Sequence, residues 1–168
     1  MSKFIIFIGL LFCTIGLQAQ KIAYLNSQEI MAAMPEVKQA NSVIEDMKNM
    51  ITKKGQDMVQ TLQAKYQTLQ AKQQSGELAP VEIEKQAAAL KVEEESIMKF
   101  EQSSQKEVAD KTTELLGPIE QKVNQAIKDV AAEMGYMYIF DEAMGLVLYA
   151  DPSNNVTKAV AAKLGITL

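Results

Sequence analysis

Histidine, tryptophan and arginine are absent from this 168-residue chain, and its one cysteine is Cys13. Without histidine, and with the cysteine confined to a leader segment, the mature chain is excluded from thiol nucleophiles, disulfides, His–carboxylate dyads and His- or Cys-ligated metals. No cofactor is implied. The lack of arginine removes the bidentate reader of guanine and phosphate. The charge balance, 17 lysines against 21 acidic residues, gives a net charge of −4 and argues against a nucleic-acid partner. With four prolines and eight glycines, helix breakers are also scarce.

What is present begins with an export signal. Lys3 supplies a positive start, Phe4 to Leu17 is apolar or small, and Gln18-Ala19-Gln20 offers small-residue cleavage after Ala19. This places a signal peptide at 1–19. Its apolar stretch of about 14 residues is shorter than the ~20 needed to span a bilayer. Phe12, bulky directly before Cys13, argues against a lipoprotein signal.

From Glu36 to Leu116 the pattern is compatible with helix and breaks once, at Ser75-Gly76-Glu77-Leu78-Ala79-Pro80. This predicts two long helices folded back as an arm over 36–116, with its tip near 75–80. At ~1.5 Å per residue, the first would reach about 58 Å. Val37, Ala40, Ile44, Met47 and Ile51 form a heptad seam, followed by Lys54, Met58, Leu62, Tyr66 and Leu69. On the return, Ile83, Ala87, Leu90, Glu94, Ile97 and Phe100 lead on to Ser104, Val108 and Thr112 at a spacing nearer eleven residues per three turns. The polar residues Lys54, Glu94 and Ser104 weaken this seam.

A body is predicted at 20–35 and 117–168. Lys21-Ile22-Ala23-Tyr24-Leu25 reads as a strand. Asn26 then caps a short helix with Glu29 as its capping-box partner, and Pro35 begins the next helix. Gly117-Pro118 predicts a kink at the arm–body boundary, and Gly135 a helix end. Tyr136–Phe140 and Gly145–Ala150 read as a β-hairpin, with a last helix from Val156 to Lys163. Asp141, Glu142 and Asp151 read as turn and cap residues. Three short strands leave open edges, and so small a core is marginal alone, so several copies are expected to pool their strands.

The segments Lys21-Ile22-Ala23-Tyr24-Leu25-Asn26-Ser27, Met34-Pro35, Leu116-Gly117-Pro118-Ile119, Gly135-Tyr136 and Ile139-Phe140-Asp141, with Leu148-Tyr149-Ala150-Asp151-Pro152, resemble the OmpH/Skp family of periplasmic chaperones. The resemblance covers the whole mature chain. It implies an α+β, mostly α fold: a long antiparallel coiled-coil hairpin arm on a small β-rich oligomerisation body, assembled as a jellyfish-like trimer. It also implies an ATP-independent holdase, not an enzyme, that encloses unfolded outer-membrane β-barrel proteins in the periplasm before their insertion. The family's type members are basic at the arm tips. Here Lys65 to Lys91 holds four lysines against Glu77, Glu82 and Glu84, so no charge-steered membrane contact is implied.

A holdase needs adaptable apolar surface, and methionine suits varied partners. Met50, Val59, Tyr66, Val92 and Met98 on the arm are the candidate client-binding residues. The alternative reading is an exported coiled-coil scaffold bridging folded envelope proteins.

Overall fold

The computed structural model describes residues 21–168, so the leader at 1–19 lies outside the described residues. Two compact units emerge. One is built from the described residues up to Ala33 together with Lys122–Leu168, the other from Met34–Gln121. The chain order is strand β1 (Ile22–Leu25), helix α1 (Ser27–Ala33), the long helices α2 (Pro35–Ser75) and α3 (Pro80–Met134), strand β2 (Tyr138–Asp141), and helix α4 (Thr157–Leu164). Short 3-10 turns at Glu142–Met144 and Pro152–Asn154 separate β2 from α4.

In the first unit β1 pairs with β2 in parallel, with Ile22 opposite Tyr138 and Leu25 opposite Asp141. Alternation along β1 turns Ala23 and Leu25 inward, where Ile30, Val156, Val160 and Ala161 are also buried. The opposite face carries Ile22, Tyr138 and Phe140, all exposed, and the two rings stack with centroids 6.4 Å apart. The expected β-hairpin does not form. Residues 145–150 hold no strand, and β2 takes β1 as its partner instead. Gly145, at φ 70°, closes the 3-10 turn after β2 and turns the chain away before it can pair antiparallel.

Side-chain caps lock this unit. Asn26 Oδ1 accepts from the Glu29 amide at 3.0 Å, as an N-cap should. The reciprocal half of the capping box is replaced, because the Asn26 amide donates to Thr157 Oγ1 at 3.0 Å. Asp141 accepts from the Ser27 amide (3.1 Å), the Ser27 hydroxyl and the Ala143 amide (3.0 Å). Asp151 caps Ser153, and Asn155 Oδ1 accepts from the Thr157 amide at 2.9 Å, so these residues serve turns and helix starts.

Met34 is extended, as a residue before proline must be, and so α1 ends at Ala33. In the second unit α2 closes at Gly76, whose left-handed φ of 70° lets its amide reach back to the last turn. The return helix then starts at Pro80, where a missing N–H costs nothing. Pro118 does not end α3, which continues as helix to Met134. Its ring withholds one donor from the carbonyl of Glu114, a local loss that the long helix absorbs. Among the described residues no helix is long and apolar enough to cross a membrane.

Burial opposes ionisation of Asp141, yet the three donors from Ser27 and Ala143 outweigh it and hold its carboxyl below the usual range. A carboxyl with a lower pKa folded than unfolded binds fewer protons in the folded state. Its stabilisation is complete above the unfolded value and is lost as pH falls through the folded one. Asp141→Ala is therefore expected to destabilise the protein by about 2 kcal/mol at neutral pH. In urea titrations the gap from the parent protein should narrow as pH drops below about 4.

Candidate functional site: the helical hairpin

The paired helices of the second unit owe their register to a few apolar layers. Leu62 and Leu69 of α2 pack with Leu90 and Ile97 of α3, and Met58, Leu78 and Ile83 cover the edges. Lys65 Nζ bonds Glu93 Oε1 across the pair. Both ends are nearly half exposed, so this bridge contributes no more than the ~0.2–1 kcal/mol typical of surface pairs. Burying one leucine side chain in such a seam contributes about 1.5–3 kcal/mol, so the leucine layers dominate.

The seam is not the one expected at every position. Lys54 and Glu94 are exposed, as is Tyr66, and the layer above Ile51 belongs to Gly55. From Met47 the inward positions run Ile51, Gly55, Met58 and Leu62, with two steps of four in succession before the heptad resumes. Opposite them Phe100, Ser104 and Val108 are also spaced four and four. Such an extra step of four locally unwinds a left-handed pair. Lys54 is displaced outward by it, and its ammonium lies 4.8 Å from the Phe100 ring centroid, a cation–π contact.

The displacement opens a groove of about 720 Å³ between the two helices. Its apolar lining comes from Ile51 and Val59 on one side and Phe100 and Val108 on the other. A methyl group added at Gly55 would meet Phe100 Cε1 at 3.8 Å, so glycine leaves room there that other residues would occupy. Ser104 is 3% exposed, and its Oγ has no hydrogen-bond partner among the described residues. An orphaned buried hydroxyl costs about 1–3 kcal/mol.

All five candidate residues are on the surface. Met50 is 67% exposed and Val92 64%, with Met98, Tyr66 and Val59 less so. They do not share a face. Val59 and Tyr66, seven residues apart, lie within roughly 20° of one another around α2, whereas Met50 is roughly 180° from Val59. Val92 and Met98 are roughly 120° apart on α3. Only Val59 among them lines the groove. Gly55 and Phe100, which shape the groove, are not among the five candidate residues. The doubled step of four was the signal that could have marked them.

Two substitutions test this account of the hairpin. Ser104→Ala should raise its stability by about 1 kcal/mol, by removing the unpaired hydroxyl. Leu90→Ala, in a buried layer, should lower it by about 2–4 kcal/mol. Thermal melts followed by circular dichroism at 222 nm would read both.

The chain has been compared with known proteins on this frame. No curated protein matches it at a significant level. Six solved chains do match its structure. One is a crystal structure of an OmpH-like protein from Caulobacter crescentus, 21% identical, with a TM-score of 0.72 over 89% of this chain and 86% of that one. At that identity the likeness establishes the fold, an OmpH-like, mostly helical one. The family described as outer membrane protein (OmpH-like) matches residues 21–164, nearly the whole described chain, and the protein belongs to that family.

Proposed function

We propose that this protein is an ATP-independent periplasmic holdase that keeps unfolded outer-membrane β-barrel proteins from aggregating before insertion. The observation that carries the reading is the helical hairpin itself: two helices of 41 and 55 residues that bury a thin seam and spread isolated apolar side chains over several faces. Scattered contacts of this kind hold a client weakly at many points without offering a patch large enough to aggregate. Their distribution suits a partner that wraps around the arm or is surrounded by arms, and Met50, Val59, Tyr66, Val92 and Met98 are its proposed contacts. The OmpH-like family and the Caulobacter crescentus relative, provisionally designated an outer membrane chaperone, support the same class of activity.

The assembly belongs to the proposal as well. Residues 20–35 and 117–168 would form the oligomerisation body and 36–116 the arm. A two-stranded sheet is marginal by itself. Here it leaves Ile22, Tyr138 and Phe140 uncovered, with Leu148 97% and Tyr149 86% exposed nearby in sequence. Supply of the missing cover by other copies would explain why these residues are apolar. The trimer is the family's number, and the export leader is the route to the periplasm.

Dilution of a urea-unfolded outer-membrane β-barrel into the mature protein, without nucleotide, should suppress light scattering at about one oligomer per client. Unchanged aggregation would favour a scaffold that joins folded envelope proteins. Replacing the five candidate residues together with glutamine should weaken the suppression while circular dichroism stays unchanged. Leu148→Glu with Tyr149→Glu should lower the molar mass measured by light scattering, and an unaltered mass would remove these residues from the interface.

A further inference from the structure

We propose that the layer around Gly55 and Ser104 is a binding site in which an extended segment of unfolded polypeptide inserts an aromatic or branched side chain between α2 and α3. The inference rests on the holdase reading and adds a place where one client segment is gripped. The groove volume, about 720 Å³, falls within the ~300–1,000 Å³ range of ligand pockets. Ile51, Val59, Phe100 and Val108 give it an apolar floor. Thr52, Gln56, Gln60 and Gln105 give it a rim of uncharged groups that both donate and accept hydrogen bonds.

That combination matches a peptide in particular. An extended chain presents a side chain every second residue and backbone amides between, so an apolar slot edged by amides and hydroxyls meets both. The strands of outer-membrane barrels alternate apolar and polar residues in this way. A lipid would leave the amide rim unused, and its headgroup would meet both Lys48 and Glu101 in the lining, one charge of each sign. Ser104 Oγ is the second observation. It is buried and unpaired in the closed hairpin, so any parting of the helices at this layer frees it to bond water or a backbone group of the inserted segment. The missing side chain at Gly55 makes this layer the one that parts with little loss of contact.

The experiment measures binding of a short fluorescent peptide of alternating Phe or Val with Ser or Thr to the mature oligomer, in the parent and in Gly55→Leu and Ser104→Val. Gly55→Leu fills the slot and should weaken binding about tenfold or more, and Ser104→Val by about three- to tenfold, with helicity and melting temperature equal to or above the parent's. If Gly55→Leu fails to fold, Gly55→Ala, which fits at ordinary contact distance, takes its place with a smaller loss expected. Unchanged affinity in folded variants would overturn the proposal, as would a parent that binds laurate, used as a lipid probe, and variants that lose laurate but keep the peptide. The same variants in the light-scattering assay separate the two readings. A parent that fails to suppress aggregation sinks the holdase reading, whereas a parent and variants that suppress it equally sink the groove alone.

Discussion

The second unit depends on the contact between α2 and α3. Each helix is far longer than the ~12–15 residues at which isolated helices become marginal, yet both are rich in lysine, glutamate and glutamine, and each has only a narrow apolar stripe to bury. Leu62, Leu69, Leu90 and Ile97 form one buried cluster along that stripe. Because every layer stabilises the pair only locally, strength varies along it. The leucine layers are firm, and the layer of Gly55, Phe100 and Ser104 is loose. The cation–π contact of Lys54 gives that loose layer some cover from outside but cannot fill it.

The first unit follows the opposite principle. Its parts are short and enclose Leu25, Ile30, Val156 and Val160, all almost wholly buried, while specific polar bonds join the ends of those parts. Asp141 gathers Ser27 and Ala143, while Thr157 accepts from Asn26 and Asn155 caps Thr157. Polar closure of this kind ties the ends of β1 and β2 to the start of α4. It covers one face of the sheet and leaves the stacked Tyr138 and Phe140 rings open on the other.

The long elements were legible because their signals are repeated many times over. A helix of about forty residues repeats its period about eleven times, and Gly76 with Pro80 marks the turn. The short strands carry no such redundancy. Gly145–Ala150 is as β-prone in composition as Tyr138–Asp141, yet only the latter finds β1. A partner more than a hundred positions away leaves no trace in local pattern. The capping box failed for a similar reason, since Thr157 competes for the Asn26 amide from the far end of the chain. In the arm, counting a strict repeat puts Lys54 inward, whereas the structure changes step at Gly55. The five apolar arm residues could be named from the sequence, but their directions around the helices depend on that phase.

The parallel pairing of β1 with β2 also governs the order in which the chain can fold. Ser27 meets Asp141 across 114 positions, so a chain that emerges from its N-terminus exposes β1 long before its partner exists. The hairpin, by contrast, forms from neighbours across a single tight turn, and local contacts of this kind close quickly. Once formed, an antiparallel hairpin brings its own two ends together and shortens the effective loop that β1 and β2 must close. Early hairpin formation would thus lower the entropic barrier to the strand pairing, and the unit with the most distant contacts would be the last to acquire them.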